Sequence, residues 1–249
     1  MAKRRLDQAL VDEGLAPSIE RAKAMILAGT VLVNDTPSDK PGTRIKSEAV
    51  IRLRTSERQD WVGRGALKLK PALEEFKVSP GGRVAIDIGA STGGFTEVML
   101  RAGATQVYAV DVGYNQLAWR LRNDERVVVL EKTNARHLVP GDFVPLPTLC
   151  TVDVSFISVC VLLPAIHNLL EWPADVLVMV KPQFELRKEQ VGKGGVVRDQ
   201  LLRVEAIEKV VAFAETLGWT EVGRRDNDIR GPKGNLETFV HFQLAKAAN

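Results

Sequence analysis

Val84-Ala-Ile-Asp-Ile-Gly89-Ala-Ser-Thr-Gly-Gly94-Phe95 is an apolar run that ends near an acidic residue and passes through a glycine-rich turn into a helix-like segment, Phe95 to Ala102. The pattern reads as a buried strand, a tight turn and a helix N-terminus, an arrangement that lets a ligand sit against bare backbone. A phosphate-binding P-loop is excluded at this turn, because no Gly-Lys-Ser/Thr closes it. A dinucleotide fingerprint wants glycine at the second and third positions of G-x-G-x-x-G, and here those are Ser91 and Gly94.

Strands and helices alternate on either side of this turn. A helix pattern runs from Gly65 to Phe76, with Leu67, Ala72, Leu73 and Phe76 apolar. Strands are expected at Val84–Ile88, Gln106–Val110, Val127–Leu130, Leu149–Asp153 and Val176–Val180, with helices near 94–103, 114–122, 158–171 and 199–217. Thr220–Arg225 and Thr238–Leu244 read as two more strands with no helix between them. The alternation predicts an α/β fold, an open parallel sheet covered on both faces, closed by an antiparallel hairpin from the tail.

The first sixty residues differ in character. Lys3, Arg4, Arg5, Arg21, Lys23, Arg44, Lys46, Arg52, Arg54 and Arg58 crowd this segment of a chain whose net charge is only +3. Clustered positive charge suggests a nucleic acid or another acidic surface, although a plain solvated face also explains it. Residues 4 to 13 and the stretch from Pro17-Ser18 to Gly29 carry helical spacing. Val31-Leu-Val-Asn-Asp and Ala49 to Leu53 read as short strands. Thr55 to Val62 is polar and reads as a linker, with Trp61 expected to pack at its end. The expected domains are 1–60, with a linker at about 55–62, and 63–249.

Arg5-Leu6-Asp7-Gln8-Ala9-Leu10, Glu20-Arg21-Ala22-Lys23 and Ile26-Leu27-Ala28-Gly29-Thr30-Val31-Leu32-Val33-Asn34 resemble the S4 RNA-binding domain, a small α+β module. The resemblance implies that Lys3, Arg4, Arg5, Arg21 and Lys23 meet RNA phosphates, contacts that supply affinity and position without reading sequence. A small helical module for protein contacts is the plainer alternative.

Asp87-x-Gly89-x-Ser91-x-Gly93 is similar to the loop of S-adenosylmethionine-dependent methyltransferases, a Rossmann-like fold of seven strands. That cofactor has no phosphate, and the glycines would let its amino-acid end approach the backbone. The resemblance implies cofactor contacts from Asp87, Gly89, Ala90, Ser91, Gly93, Gly94 and Phe95. Asp111, at the end of the second strand, is placed to accept ribose hydroxyls with Val112 beside it, and Asn134 to meet the adenine edge. A strand-end cap and a plain turn residue are the ordinary readings of Asp111 and Asn134.

The fourth strand bears on which atom is methylated. Exocyclic amino methylation usually shows an Asn/Asp-Pro-Pro-aromatic segment there, and this chain has Asp153-Val-Ser-Phe. Methylation at pyrimidine C5 generally needs a cysteine nucleophile, and Cys150 and Cys160 both lie in apolar surroundings as expected of buried free thiols. Lys181 and Asp153 close neighbouring strands about 5 Å apart, so their side chains can share one site. With Lys68 and Glu237 they match the Lys-Asp-Lys-Glu set of RNA ribose 2′-O-methyltransferases.

Gly63-Arg64-Gly65-Ala66-Leu67-Lys68-Leu69, Gly89-Ala-Ser-Thr-Gly-Gly-Phe95-Thr96, Val180-Lys181-Pro-Gln-Phe-Glu185 and Gly231-Pro-Lys-Gly234-Asn235 extend the resemblance over nearly the whole chain. It resembles the TlyA family of ribosomal RNA methyltransferases, an S4 domain followed by an FtsJ-like domain, also labelled haemolysins. Ala66 and Gly63 depart from that pattern, where members often carry glycine and serine.

The resemblance implies S-adenosylmethionine-dependent 2′-O-methylation of cytidine in ribosomal RNA, with Lys181 as base, Asp153 orienting it, and Lys68 and Glu237 setting charge and position. Lysine has a reference pKa of about 10.4, which a second lysine and partial burial are expected to lower. Arg64, Lys193 and Arg198 are expected to touch RNA, the last two from a mobile loop over 192–198, for which an ordinary flexible loop is the alternative. Shorter members of the family tend to modify large-subunit RNA alone, so a 23S target is expected, possibly with 16S as well.

No metal is expected. A non-catalytic RNA-binding assembly factor is the alternative function. A haemolysin finds no signal peptide and no membrane-spanning run in the sequence, and a cytoplasmic enzyme is expected.

Overall fold

The computed structural model describes residues 3–27, 29–34, 36–53, 61–231 and 233–245. The chain divides into two compact units, Met1–Asp60 and Trp61–Asn249. Most of the segment read as a linker lies outside the described residues.

The first unit opens with β1 (Lys3–Arg5), α1 (Leu6–Asp12) and α2 (Ile19–Leu27). It continues through β2 (Val31–Val33), β3 (Thr36–Pro37), β4 (Arg44–Lys46) and β5 (Ile51–Leu53). Leu6, Ala9, Leu10, Ala22, Ile26, Val31, Ile45 and Ile51 are buried as one core. The helix expected from residue 4 starts at Leu6, because Lys3–Arg5 pairs antiparallel with Arg44–Lys46 instead.

The second unit holds α3 (Ala66–Phe76), β6 (Val84–Ile88), α4 (Gly94–Arg101), β7 (Gln106–Val110), α5 (Trp119–Arg122) and β8 (Val127–Leu130). After these come β9 (Leu149–Val152), α6 (Leu163–Leu169), β10 (Ala174–Val180), α7 (Pro182–Glu185), α8 (Gln200–Thr216), β11 (Thr220–Asp226) and β12 (Thr238–Leu244). Seven strands form one sheet in the order β11-β12-β10-β9-β6-β7-β8. Strands β6 to β10 are parallel, and β12 inserts antiparallel between β10 and β11.

The parallel strands are near-continuous apolar runs because two cores cover their two faces. Ile86, Ile88, Val176, Val178 and Val180 pack on one side with α6 and α8, while Ala85, Leu177 and Met179 pack on the other with α3 and α4. Chain order reverses at β6, which has β7 on one side and β9 on the other. Open sheets bind ligands in the crevice that such a reversal leaves at the carboxyl ends of the strands.

The helix expected over 114–122 is the main local departure. Glu131 accepts hydrogen bonds from the backbone N–H groups of Asn115 (2.8 Å), Gln116 (3.0 Å) and Leu117 (3.3 Å). A carboxylate that captures successive N–H groups holds them as a loop, and helix forms only from Trp119. The expected helix over 158–171 is broken by a short 3-10 turn at Val159–Val161. No helix among the described residues is long and apolar enough to cross a membrane.

At the opposite end of the sheet, Asp175 joins three elements. Its carboxylate lies 2.6 Å from Arg83 Nη1 and 2.8 Å from His241 Nε2, so β10 is tied to β12 and to the start of β6. Burial pushes its pKa up, but the His241 and Arg83 contacts outweigh that and hold it at about 2. A carboxylate depressed in the fold stabilises above its unfolded pKa, and that stabilisation is lost as pH falls from about 4 towards 2. Asp175→Asn is expected to cost about 2 kcal/mol at neutral pH, discounted for its partial exposure. Urea unfolding should show the gap between the two proteins closing across that acid window.

Candidate active site

The glycine turn works first as an internal joint. Gly89 has φ +87°, and a Cβ there would fall on the backbone carbonyl of Asp153, just past β9. Gly94 and Gly65 come so close that a Cβ on Gly94 would lie 3.0 Å from the Ala66 nitrogen. These two approaches set the spacing of β6 to β9 and lay the start of α3, which carries Lys68, over the turn.

Asp87 is fully buried and accepts hydrogen bonds from Thr96 N (2.8 Å), Thr96 Oγ1 (2.7 Å) and Thr151 Oγ1 (3.2 Å). Burial pushes its pKa up to about 7, with the Asp153 charge adding to the rise and the threonine donors opposing it. It therefore staples β6 to α4 and β9.

A cavity of about 410 Å³ opens at the chain reversal, lined on one side by Gly89, Ser91, Asp111, Val112, Gln116 and Asn134 and on the other by Asp153 to Ile157 and Leu162. Asp87, Ala90, Gly93, Gly94 and Phe95, also expected at this site, are buried in the strand, turn and helix beside this wall. Both Asp111 oxygens already accept backbone N–H groups, from Ser91 at 2.8 Å and Gly113 at 2.7 Å. Glu131 holds the outer lip of this cavity; burial raises its pKa, but the three N–H donors and Arg122 prevail and keep it at about 2.

A second cavity of about 360 Å³ adjoins the first, and both are bordered by Asp153, Ser155 and Phe156. It collects all four residues of the lysine–carboxylate set from four different elements. Lys68 Nζ donates to Glu237 Oε2 at 2.6 Å, the pair almost wholly buried. Lys181 Nζ lies 2.5 Å from Asp153 Oδ1 and donates to Ser155 Oγ at 3.0 Å. Each lysine of this set thus has its own carboxylate, and neither pair leaves a net charge, while the exposed Lys233 also borders the cavity.

Three residues that sequence reasoning passed over stand out here. Ser155 bridges the two cavities and holds Lys181. Phe156 is 90% exposed with a left-handed backbone (φ +68°), and its ring lies 5.3 Å from that of Phe184. Glu185 is buried and clamps the same loop, accepting from Ser158 Oγ at 2.5 Å and Val159 N at 2.7 Å, while Lys209 Nζ donates to its carbonyl at 2.6 Å. The missing prolines after Asp153 were the only sequence signal for this loop. Both cysteines are free and buried, and burial pushes each thiol up, away from nucleophile chemistry.

The expected RNA contacts divide as well. In the first unit Arg5 is held bidentately by buried Asp7, at 3.0 and 2.7 Å, and Arg4 pairs with Glu13, so both are committed inside the unit. Lys3, Arg21 and Lys23 are exposed. In the second unit Arg64 Nη2 reaches the Arg230 carbonyl at 3.4 Å, while Lys193 and Arg198 are exposed on the 192–198 loop. Asn235 pins that loop beside the second cavity, donating to Gly195 O at 2.8 Å and accepting from Val197 N at 2.9 Å.

The model of the FtsJ-like methyltransferase family matches residues 61–244, and that of the S4 domain matches residues 4–51. A 16S/23S rRNA (cytidine-2′-O)-methyltransferase TlyA from Mycobacterium tuberculosis is 48% identical over 96% of this chain and 90% of its own length. A candidate rRNA methyltransferase, YqxC, from Bacillus subtilis is 46% identical over 96% of this chain and 85% of its own. Among solved structures, a candidate hemolysin from Streptococcus thermophilus superimposes with a TM-score of 0.75 at 42% identity, covering 99% of this chain and 90% of that one. The chain belongs to the FtsJ-like methyltransferases, in the TlyA family whose members join that domain to an S4 domain.

Proposed function

We propose that the protein transfers a methyl group from S-adenosylmethionine to the 2′-hydroxyl of a cytidine in ribosomal RNA. The observation that carries this reading is the pair of adjoining cavities: one has the donor set for the cofactor, the other two charge-compensated lysines, and Asp153, Ser155 and Phe156 stand between them. The first cavity fits the group. Ile88, Val110, Ile157 and Leu162 give apolar walls for an adenine, Asn134 lies at its edge, and Asp111 keeps free lone pairs for ribose hydroxyls.

S-adenosylmethionine, when bound, supplies an electrophilic methyl carbon on a positively charged sulfur. The acceptor hydroxyl needs a base as its oxygen attacks, because an alcohol is a poor nucleophile. Lys181 Nζ must first give up its own proton; it then takes the 2′-hydroxyl proton as the new O–CH3 bond forms and the methyl group leaves its donor. Asp153 and Ser155 fix the direction of its Nζ and stabilise the ammonium that results. Lys68 places positive charge beside the developing alkoxide, and Glu237 holds Lys68 there. Because bound S-adenosylmethionine would supply a methyl group from a charged donor and leave a neutral one, a water-poor cavity around Lys68 and Lys181 would favour the transfer. Phe156 offers an exposed ring on which an unstacked base can lie. The S4 domain and the exposed Lys193 and Arg198 supply positive charge for phosphates.

Incubating the protein with labelled cofactor and ribosomal subunits, then mapping 2′-O-methyl groups in both ribosomal RNAs, tests the reading directly. A large-subunit cytidine is the expected target, and absence of transfer to subunits and free RNA alike would sink it. Lys181→Ala should lower kcat by roughly 10³-fold while subunit binding persists. Gly231→Ala should cost about tenfold or more in kcat with little change in cofactor affinity, because a Cβ there would push into the Glu237 carboxylate. Glu131→Gln weakens the clamp on 115–117 and should raise the cofactor Kd several-fold in calorimetry, with kcat at saturation nearly unchanged.

A further inference from the structure

Gln183 lies on α7, between Lys181 and Phe184, and its side chain lines the second cavity with Lys68, Lys181 and Glu237. Its Oε1 is buried and has no hydrogen-bond partner among the described residues. A buried amide oxygen without a partner costs about 1–3 kcal/mol, a cost that a group entering the cavity can offset. Lys68 is matched to Glu237 and Lys181 to Asp153, and the exposed Lys233, also in the lining, can only donate, so Gln183 Oε1 stands among the described residues as a neutral acceptor open to an incoming donor.

The position suits a base edge. A ribose hydroxyl at Lys181 puts its own base within the same cavity, whose mouth Phe156 and Phe184 border. Bases turned out of a strand are read by hydrogen bonds along their edges. Cytosine presents its N4 amino group as a donor beside the N3 acceptor. A glutamine amide meets both, accepting from N4 through Oε1 and donating to N3 through Nε2. Uracil carries a carbonyl oxygen where cytosine has N4 and an N–H at N3, so with the amide as it stands it would set acceptor against acceptor and donor against donor.

We propose that Gln183 is a specificity-determining residue that accepts a hydrogen bond from the amino group of the target base and so favours cytosine over uracil. The proposal rests on the ribose-methylation reading above and adds to it the contact that selects the base. Gln183 takes no part in proton transfer; it acts on which nucleoside reaches Lys181.

The test uses the full-length protein and ribosomal RNA in which the mapped target cytidine is left intact or replaced by uridine. Wild type should prefer cytidine by roughly 10- to 100-fold in kcat/KM. Gln183→Met, close in shape and unable to pair, should narrow that ratio to within about threefold, mainly through loss on cytidine. Gln183→Glu keeps an acceptor oxygen and should retain a preference for cytidine. Thermal unfolding of both variants should stay near wild type. A Gln183→Met enzyme that keeps the wild-type ratio, or loses equally on both RNAs, overturns the proposal. No transfer by wild type to the cytidine RNA would instead overturn the methyltransferase reading, and this inference with it.

Discussion

Lys68 and Glu237 meet at 2.6 Å with almost no solvent around them, and this buried pair constrains the rest of the site. Removing either partner of such a pair leaves an uncompensated charge worth about 3–5 kcal/mol, so the fold must deliver both together. Lys68 comes from α3, ahead of the first sheet strand, and Glu237 from just before β12. The chain between them holds every strand of the seven-stranded sheet except β12. α3 can deliver Lys68 only because Gly65 and Gly94 touch without side chains.

The antiparallel position of β12 explains how a residue so late in the chain reaches the carboxyl ends of parallel strands. Val180 pairs with Thr238, so one step further Lys181 stands opposite Glu237. On its other side, Val178 pairs with Val152 in parallel register, and continuing that register brings Lys181 to Ser155, the residue it bonds. Were β12 parallel, its first residues would lie at the far end of the sheet, where Asp175, Arg83 and His241 form a purely structural knot. Two charged clusters thus stand at opposite ends of one sheet, one holding strands and one carrying the proposed chemistry.

Much of this could be read from the sequence, for reasons that particular residues make clear. Strand-ending Asp111, Asp153 and Lys181 announce themselves because a charged residue after an apolar run has few places to go but the end of a strand. The tail hairpin shows in two apolar runs with no helix between them. Residues whose meaning lies in a distant partner stayed silent. Glu131 looks like any acidic residue after a strand until it is seen to hold three N–H groups and cancel most of an expected helix. Arg4 and Arg5 counted as free charge because Glu13 and Asp7 are ordinary in a helix, and only the folded unit shows them paired. The glycines of the turn were assigned to a ligand, and Gly89, which lines the first cavity, is also required by the Asp153 carbonyl beside it.

That second duty adds to what the turn contributes. Gly89 and Ser91 line the first cavity, and the rest of its polar surface comes from beyond the turn, including Asp111, Asn134 and the loop after Asp153. The loop is the least regular part of the wall and the most constrained. Phe156 sits in a left-handed conformation, a strain of order 1–3 kcal/mol that persists only where neighbours fix it. Contacts at both ends supply that restraint, Lys181 on Asp153 and Ser155, and Glu185 on Ser158 and Val159. Both clamps come from a single segment, Lys181 to Glu185, so the same five residues position Lys181, the proposed proton acceptor, and the partition between the cavities. A shift of that segment would move Lys181 and the partition together, so on the proposed reading their relative geometry stays fixed as RNA enters.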